Sequence, residues 1–206
     1  MNGVAGIGVA WLAVFAAQVA AAQPLLQASF PEGSEDFVYT DDALLATNAP
    51  AYAAGEWLPE AAGAHGVLSI TLGNRDALPV LGMSGGWSRT FELARPVRDL
   101  RILFRCQLIQ ASGYEGDEFA QVMVLLDGAP LPASGLDFVA RIAGDGDGGT
   151  ERATGWLSIA RDVASARAGR HVLTIGGYSN KKTAENESTQ ILIDDVRVTG
   201  IPDVQR

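Results

Sequence analysis

Short apolar or alternating runs, separated by clusters of Gly, Pro, Asn and Asp, recur along most of the chain and constrain its fold more than any other feature. In residues 67–72, for example, Leu and Ile alternate with Ser and Thr, so the apolar side chains share one face of a strand. Eight such runs occur, at 67–72, 87–93, 100–109, 119–126, 138–142, 156–160, 171–178 and 190–199. The pattern predicts an all-β fold, a two-sheet antiparallel jelly-roll β-sandwich.

Helical patterns are scarce by comparison. Residues 42–46 and the stretch around 163–167 favour short helices, and each is too short to form a layer. An α/β architecture needs long amphipathic helices between its strands, and the sequence offers none. We therefore expect no helical layer.

The N-terminal segment differs from the rest because residues 1–22 carry no charged side chain and include the apolar run 4–17. Three alanines before Gln23 have the form of a signal-peptidase site. This predicts a secretory signal over 1–22 and a single domain over 23–206, secreted or displayed at the cell surface, with no membrane insertion once the signal is removed. A basic residue near the start is missing, so a retained membrane anchor is the alternative.

Acidic residues outnumber basic ones by 24 to 15 among 206 residues, which gives a net charge of −9. Such a charge argues against a nucleic acid or an anionic lipid surface as partner. Residues 1–74 contain seven acids and no Lys or Arg, so this early stretch must be solvated or neutralised by a cation. The single cysteine, Cys106, excludes an intramolecular disulfide and falls on the apolar side of its strand, which predicts a buried, unreactive thiol.

Several segments resemble a known group of domains. The closing run 191–199, together with 168–177 and the pair Gly155-Trp156 before it, resembles the C-terminal half of jelly-roll domains in secreted bacterial proteins. That group is similar to carbohydrate-binding modules and to MAM or concanavalin-like sandwiches. The resemblance implies the sandwich fold, but such folds host lectins, adhesins, matrix proteins and hydrolases alike, so it leaves the function open.

Asp194 is the most informative single residue. Alternation along its strand places it on one side with Leu192, Val196 and Val198, and a carboxylate on an apolar face needs a partner. First and last strands usually pair in a jelly roll, and related modules commonly hold a structural Ca²⁺ between these ends. The resemblance thus implies a Ca²⁺ site, for which the expected ligands are Glu32, Asp41, Asp42, Asp194 and Asp195. An ion pair with Arg89 or Arg197 is the alternative.

Two long polar loops, at 111–118 and 179–188, each join neighbouring strands of a hairpin. If both hairpins point the same way, one end of the sandwich gathers rings, carboxylates, an amide and ammonium groups, which suits the C–H faces and hydroxyls of a sugar. The predicted ligand-binding residues are Tyr114, Glu115, Asp117, Glu118, Tyr178, Asn180, Lys181, Lys182 and Glu187. A salt-bridge network that merely fixes the loops is the alternative.

Catalytic motifs are weak. Glu118 is out of phase with Glu115 and Asp117, unlike the acids of jelly-roll glycosidases, and neither His65 nor His171 stands near a nucleophile motif. We therefore expect a secreted, non-catalytic, calcium-stabilised binding module whose partner is a glycan or an extracellular-matrix component. The alternative is a structural surface or filament subunit that self-associates through its sheet edges or its N-terminal segment, and a glycoside hydrolase or lyase ranks below both.

Overall fold

The computed structural model describes residues 21–45, 47, 49–131, 133, 135–146 and 149–203. The expected signal segment, 1–22, lies outside the described residues except for its last two. In the part of the chain that is described, no helix has the length and apolar character needed to cross a membrane.

Thirteen strands occur in the described residues, with one 3-10 turn at Pro50–Tyr52. The strands are β1 (Gln23–Ala28), β2 (Val38–Asp41), β3 (Ala53–Ala61), β4 (Ala64–Gly73), β5 (Val80–Leu93), β6 (Val97–Gln110), β7 (Phe119–Leu126), β8 (Ala129–Pro130), β9 (Ala140–Ala143), β10 (Arg152–Ala153), β11 (Leu157–Ala166), β12 (Gly169–Lys182) and β13 (Ser188–Pro202).

The strands form two antiparallel sheets, which confirms the predicted β-sandwich. The first sheet has the order β10-β6-β13-β4-β3, with β1 added to β13 and β11 added to β6. The second sheet has the order β2-β5-β12-β7-β8, with β9 added to β7. The first and last strands do pair, since Ala28 lies opposite Val196.

The core lies between the two sheets and follows from strand alternation. On β6, residues 100, 102, 104, 106 and 108 are buried, and they face buried residues such as Leu173 and Ile175 of β12. Cys106 belongs to this core, and burial raises the pKa of its thiol to about 12. The thiol therefore serves as a packing group.

Six of the eight predicted runs lie within strands, and the runs 138–142 and 156–160 overlap β9 and β11, which begin at Ala140 and Leu157. Neither predicted helix forms. Residues 163–166 belong to β11, where Val163 pairs with Leu100 of β6. The described part of the other stretch, 42–45, is a turn followed by bends. Pairing with a neighbouring strand satisfies the backbone of 163–166 along its length, which outweighs a weak local helical preference.

Candidate functional site

Asp194 is held by an arginine other than the two expected from the sequence. Arg105, its partner across the β6–β13 pair, places Nη2 2.5 Å from the Asp194 carboxylate and Nε 2.8 Å from that of Asp195. Neither predicted partner is used in this way: Arg89 instead lies 3.6 Å from Asp36. Burial raises the pKa of Asp194 further than the Arg105 guanidinium lowers it. The expectation of Arg89 or Arg197 is thus corrected to Arg105.

A β-bulge explains why Asp194 reaches Arg105. The register of β13 against β6 shifts between Asp194 and Arg197, and Asp195 has a φ of 52°. Val196 and Val198 therefore face the core, while Asp194 lies on the outer face of the first sheet with Arg105. Simple alternation had placed all three on one side.

The five acids expected to bind Ca²⁺ do not converge in the structure. Glu32 is exposed, the Asp42 carboxylate accepts a hydrogen bond from the Thr47 hydroxyl, and Asp41 lies beside the Tyr39 hydroxyl. Among the described residues, one group of three potential metal ligands has its ligand atoms within 4.8 Å of one another, and it contains none of these five acids. That group is described below.

The two long polar loops do meet at one end of the sandwich. The Asn180 side chain accepts a hydrogen bond from the Phe119 amide at 2.6 Å and donates one to the Asp117 carbonyl at 2.8 Å. Lys181 Nζ lies 3.1 Å from the Asp117 carboxylate, and the Thr183 hydroxyl donates to Glu115 at 3.1 Å. These contacts connect the two loops to each other, as expected for the alternative of a salt-bridge network that fixes the loops.

Four members of the predicted sugar-binding set lie in the interior: Tyr114 and Lys182, and two glutamates that are described below. Tyr114 is 1% exposed, and its phenolic oxygen accepts a hydrogen bond from Thr189. Lys182 is fully buried and donates to the carbonyls of Asp76 at 2.7 Å and Leu78 at 2.9 Å. Neither side chain can present itself to a sugar in this arrangement, so both are packing residues here.

Three glutamates at the same end form the group of potential metal ligands, namely Glu115, Glu118 and Glu187. Glu118 and Glu187 are buried and Glu115 is half-buried. Burial, together with the neighbouring Glu115, raises the pKa of Glu118, while the pKa of Glu115 is lowered, chiefly by its hydrogen bond with Glu118. A hydrogen bond between two carboxyl groups requires a proton on one of them. Once that proton is lost, two carboxylates about 5 Å apart repel by about 3 kcal/mol at an effective dielectric constant of about 20, so the ionised cluster requires compensation.

A different surface collects the side chains best suited to a flat polar ligand. Tyr178 of β12 lies opposite Gln121 of β7, and Gln121 lies opposite Arg141 of β9. These three residues form a row, here called the polar row, on the outer face of the second sheet. Side chains alternate between the two faces of a strand, and the neighbours of these residues along the chain, such as Val122 and Ile142, belong to the core. Only Tyr178 was part of the predicted set.

Arg141 is held in place by aromatic rings. Its guanidinium carbon lies 3.9 Å from the centroid of Phe119 and 6.0 Å from that of Phe138. Arg141 is exposed and has no carboxylate within ion-pair distance among the described residues. Its N–H donors are therefore oriented by stacking and remain available to a ligand.

Residues 42–45 border the polar row on the β5 side. The amides of Leu44 and Leu45 lie 3.3 and 3.4 Å from the Ser84 hydroxyl oxygen, and Ser84 pairs with Tyr178. A methyl group at Gly176 would lie 3.0 Å from the Leu44 side chain and 2.4 Å from the Gly85 carbonyl oxygen. Glycine at this position therefore lets the segment lie directly on the sheet.

No protein-family model matches the chain, and no curated protein matches it. Among solved structures it is similar to TmCBM27, a carbohydrate-binding module that recognises mannan, with a TM-score of 0.48 and 17% identity over 88% of this chain and 99% of that one. It is also similar to the K1 adhesin domain of Lys-gingipain from Porphyromonas gingivalis, with a TM-score of 0.42 and 14% identity over 84% and 96% of the two chains. TmCBM61, solved with β-1,4-galactotriose, gives a TM-score of 0.39 and 12% identity over 85% and 97%. Similarities at this level assign no ligand to this chain, and the fold assignment stands on its strand pairing.

Proposed function

We propose that this domain binds a carbohydrate chain, without catalysing a reaction, along the outer face of the second sheet. The observation that carries the proposal is Arg141, stacked at 3.9 Å on Phe119, free of a carboxylate partner in the described part of the chain, and aligned with Gln121 and Tyr178. Stacking fixes the guanidinium before a ligand arrives, which reduces the entropy lost on binding.

The polar row offers two kinds of contact that a sugar needs. The planar fork of Arg141 can donate to two neighbouring hydroxyls, and the ring of Tyr178 can stack on a C–H face. Gln121 lies between them and is 6% exposed, so it contributes mainly to the floor of the surface. Adjacent strands lie about 4.8 Å apart, so a row across three strands spans about 10 Å, a length comparable to a disaccharide.

The chemistry of the row favours binding over catalysis. Glycoside hydrolysis generally uses two carboxyl groups on either side of the scissile bond, and none of the three side chains in the row is a carboxylate. With a net charge of −9 the whole chain repels polyanions, so a neutral polysaccharide is the preferred ligand class over an acidic one.

Secretion belongs to the same proposal. If residues 1–22 are a cleaved signal, mass spectrometry of the exported protein will find a mature chain that begins near Gln23. Recovery of the protein only in membranes, with the apolar segment intact, would favour the anchor instead. An exported glycan-binding domain would meet polysaccharide outside the cell or at its surface.

The experiment is a binding screen by affinity gel electrophoresis, with neutral chains (mannan, xylan, mixed-linkage glucan) and acidic chains (alginate, polygalacturonate). Retardation by at least one neutral polysaccharide is expected, and titration calorimetry then gives its affinity. Arg141→Ala and Tyr178→Ala should each weaken binding by about 1–3 kcal/mol, which is about 5- to 150-fold in dissociation constant.

Arg101→Ala is the matched control, because Arg101 is exposed on the first sheet, where its guanidinium lies 3.6 Å from the Asp162 carboxylate. It removes the same charge and should leave binding unchanged. An equal loss in Arg101→Ala, or no retardation by any chain tested, contradicts the proposal.

A further inference from the structure

Three glutamate side chains are packed together where the loop between β6 and β7 meets the loop between β12 and β13. Glu115 and Glu118 come from the first loop and Glu187 from the second, and one ligand oxygen of each lies within 4.8 Å of the others. Glu118 is fully buried and Glu187 is 1% exposed. Three carboxylates shielded from water in this way need positive charge close by.

The protein supplies part of the compensation. Glu187 accepts hydrogen bonds from the amides of Thr183 and Ala184, the latter at 2.9 Å, and one oxygen of Glu118 accepts from the Glu115 amide at 2.8 Å. Lys181 lies 3.7 Å from the other Glu118 oxygen, Oε1, which exceeds hydrogen-bond distance. The Lys181 ammonium group lies closer to the Asp117 carboxylate, at 3.1 Å, so among the described residues the three glutamates share only part of one positive charge.

Two buried polar groups at this end have no hydrogen-bond partner among the described residues. Glu118 Oε1 is one of them. The side-chain oxygen and nitrogen of Gln110 are the other, and Gln110 is 1% exposed and pairs with Thr189, two residues after Glu187. Because buried acceptors are nearly always satisfied, an unpaired carboxylate oxygen beside two further carboxylates is a position at which a cation would be stabilised.

We propose that Glu115, Glu118 and Glu187 bind a Ca²⁺ ion. Ca²⁺ takes oxygen ligands at about 2.3–2.6 Å, so two oxygens bound to one ion lie at most about 5 Å apart, which matches the spread of this cluster. The cluster contains no imidazole or thiolate, which disfavours Zn²⁺ and similar metals. The two positive charges of Ca²⁺ would offset most of the negative charge of the three ionised carboxylates, since Lys181 is shared with Asp117, whose carboxylate lies 3.1 Å away.

The ion would tie two loops that are distant in sequence. Phe119 directly follows Glu118, and Tyr178 lies on the strand that leads into the second loop, so the cation would brace the end of the sheet that carries the polar row. The cation site does not depend on glycan binding, and its test uses no sugar.

The test measures thermal unfolding of the full chain after chelator treatment, first without metal and then with increasing Ca²⁺ or Mg²⁺. The melting temperature should rise with Ca²⁺ concentration, because an ion bound only to the folded state stabilises it by mass action. Mg²⁺ at equal concentration should raise it less, since Mg²⁺ demands a stricter octahedral geometry. Titration calorimetry should show one Ca²⁺ per chain.

Glu118→Gln is the test variant and Glu185→Gln is its matched control. Glu185 is exposed in the same loop as Glu187 and lies outside the cluster, so both variants remove one negative charge in the same region. Glu185→Gln should keep the full Ca²⁺ response, and Glu118→Gln should lose most of it. If Glu118→Gln fails to fold, Glu115→Gln tests the same point at a half-buried position.

Three results would overturn the proposal. One is a wild-type melting temperature that ignores both chelator and Ca²⁺. Another is a Glu118→Gln variant whose response equals that of Glu185→Gln. The last is a melting temperature of Glu118→Gln that lies below the wild-type value by the same amount with and without Ca²⁺. That result would assign the cluster a structural role within the loop network.

Discussion

Replacing Tyr114 by alanine should lower the free energy of unfolding by about 3–5 kcal/mol, because its ring is 1% exposed in the loop between β6 and β7. A buried aromatic side chain removes about 150–250 Å² from water, which at about 25 cal/mol per Å² corresponds to about 4–6 kcal/mol as an upper bound. Alanine retains part of that burial. Tyr178 is half-buried on the outer face of the second sheet, so Tyr178→Ala should cost less than about 2 kcal/mol.

Urea unfolding followed by tryptophan fluorescence measures both changes, since the chain has four tryptophans. Tyr114→Phe is the control, and it removes the hydroxyl that accepts from Thr189 at a cost of about 0.5–1.5 kcal/mol. A free energy of unfolding for Tyr114→Ala within about 1 kcal/mol of the wild-type value would contradict this prediction. So would a larger loss of stability in Tyr178→Ala than in Tyr114→Ala.

Three further predictions concern other parts of the fold. Burial lowers the pKa of His171, but the Arg167 carbonyl and the Asp127 carboxylate 2.7 Å away raise it more, so the net direction is upward. The stability that this pair contributes is complete below the ordinary histidine pKa of about 6.5 and is lost as pH rises through the folded value. Unfolding free energies measured from pH 5.5 to 9 should show this decline in the wild type and not in His171→Gln. Asp194→Asn should destabilise by about 1–3 kcal/mol, equally in chelator and in Ca²⁺, because its partner is an arginine; a loss confined to Ca²⁺ would show a metal ligand instead. Gly176→Ala should destabilise by about 1–3 kcal/mol in a urea melt, since its methyl group meets a backbone oxygen, and an unchanged midpoint would contradict that packing.

The sandwich could be predicted from the sequence because its central strands alternate strongly. The alternating run 67–72, for instance, lies within β4. Three early strands were missed for identifiable reasons. The strand Gln23–Ala28 follows the apolar segment without a break in composition, Val38–Asp41 is short, and Ala53–Ala61 is rich in residues of low β propensity. The last of these forms through pairing with β4, which no local pattern records.

The candidate sites were harder to predict because they depend on features that the sequence pattern does not display. The bulge at Asp195 reverses the face on which Asp194 lies, and its positive φ could not be anticipated from alternation. Tyr114 was expected on the surface because it stands in a polar loop, yet the loop turns its ring inward. Gln121 carried the available signal for the polar row, as the sole polar residue in an otherwise apolar strand.

The most direct test of the proposed glycan surface is a map of backbone amide shifts by ¹H–¹⁵N nuclear magnetic resonance during titration with the polysaccharide fragment that binds best in the screen. The largest shifts should fall on β7, β9 and β12, around Gln121, Arg141 and Tyr178. Shifts centred on the outer face of the first sheet, around Arg105 and Trp156, would contradict this prediction, since those side chains stack on each other at 4.9 Å on the opposite side of the sandwich.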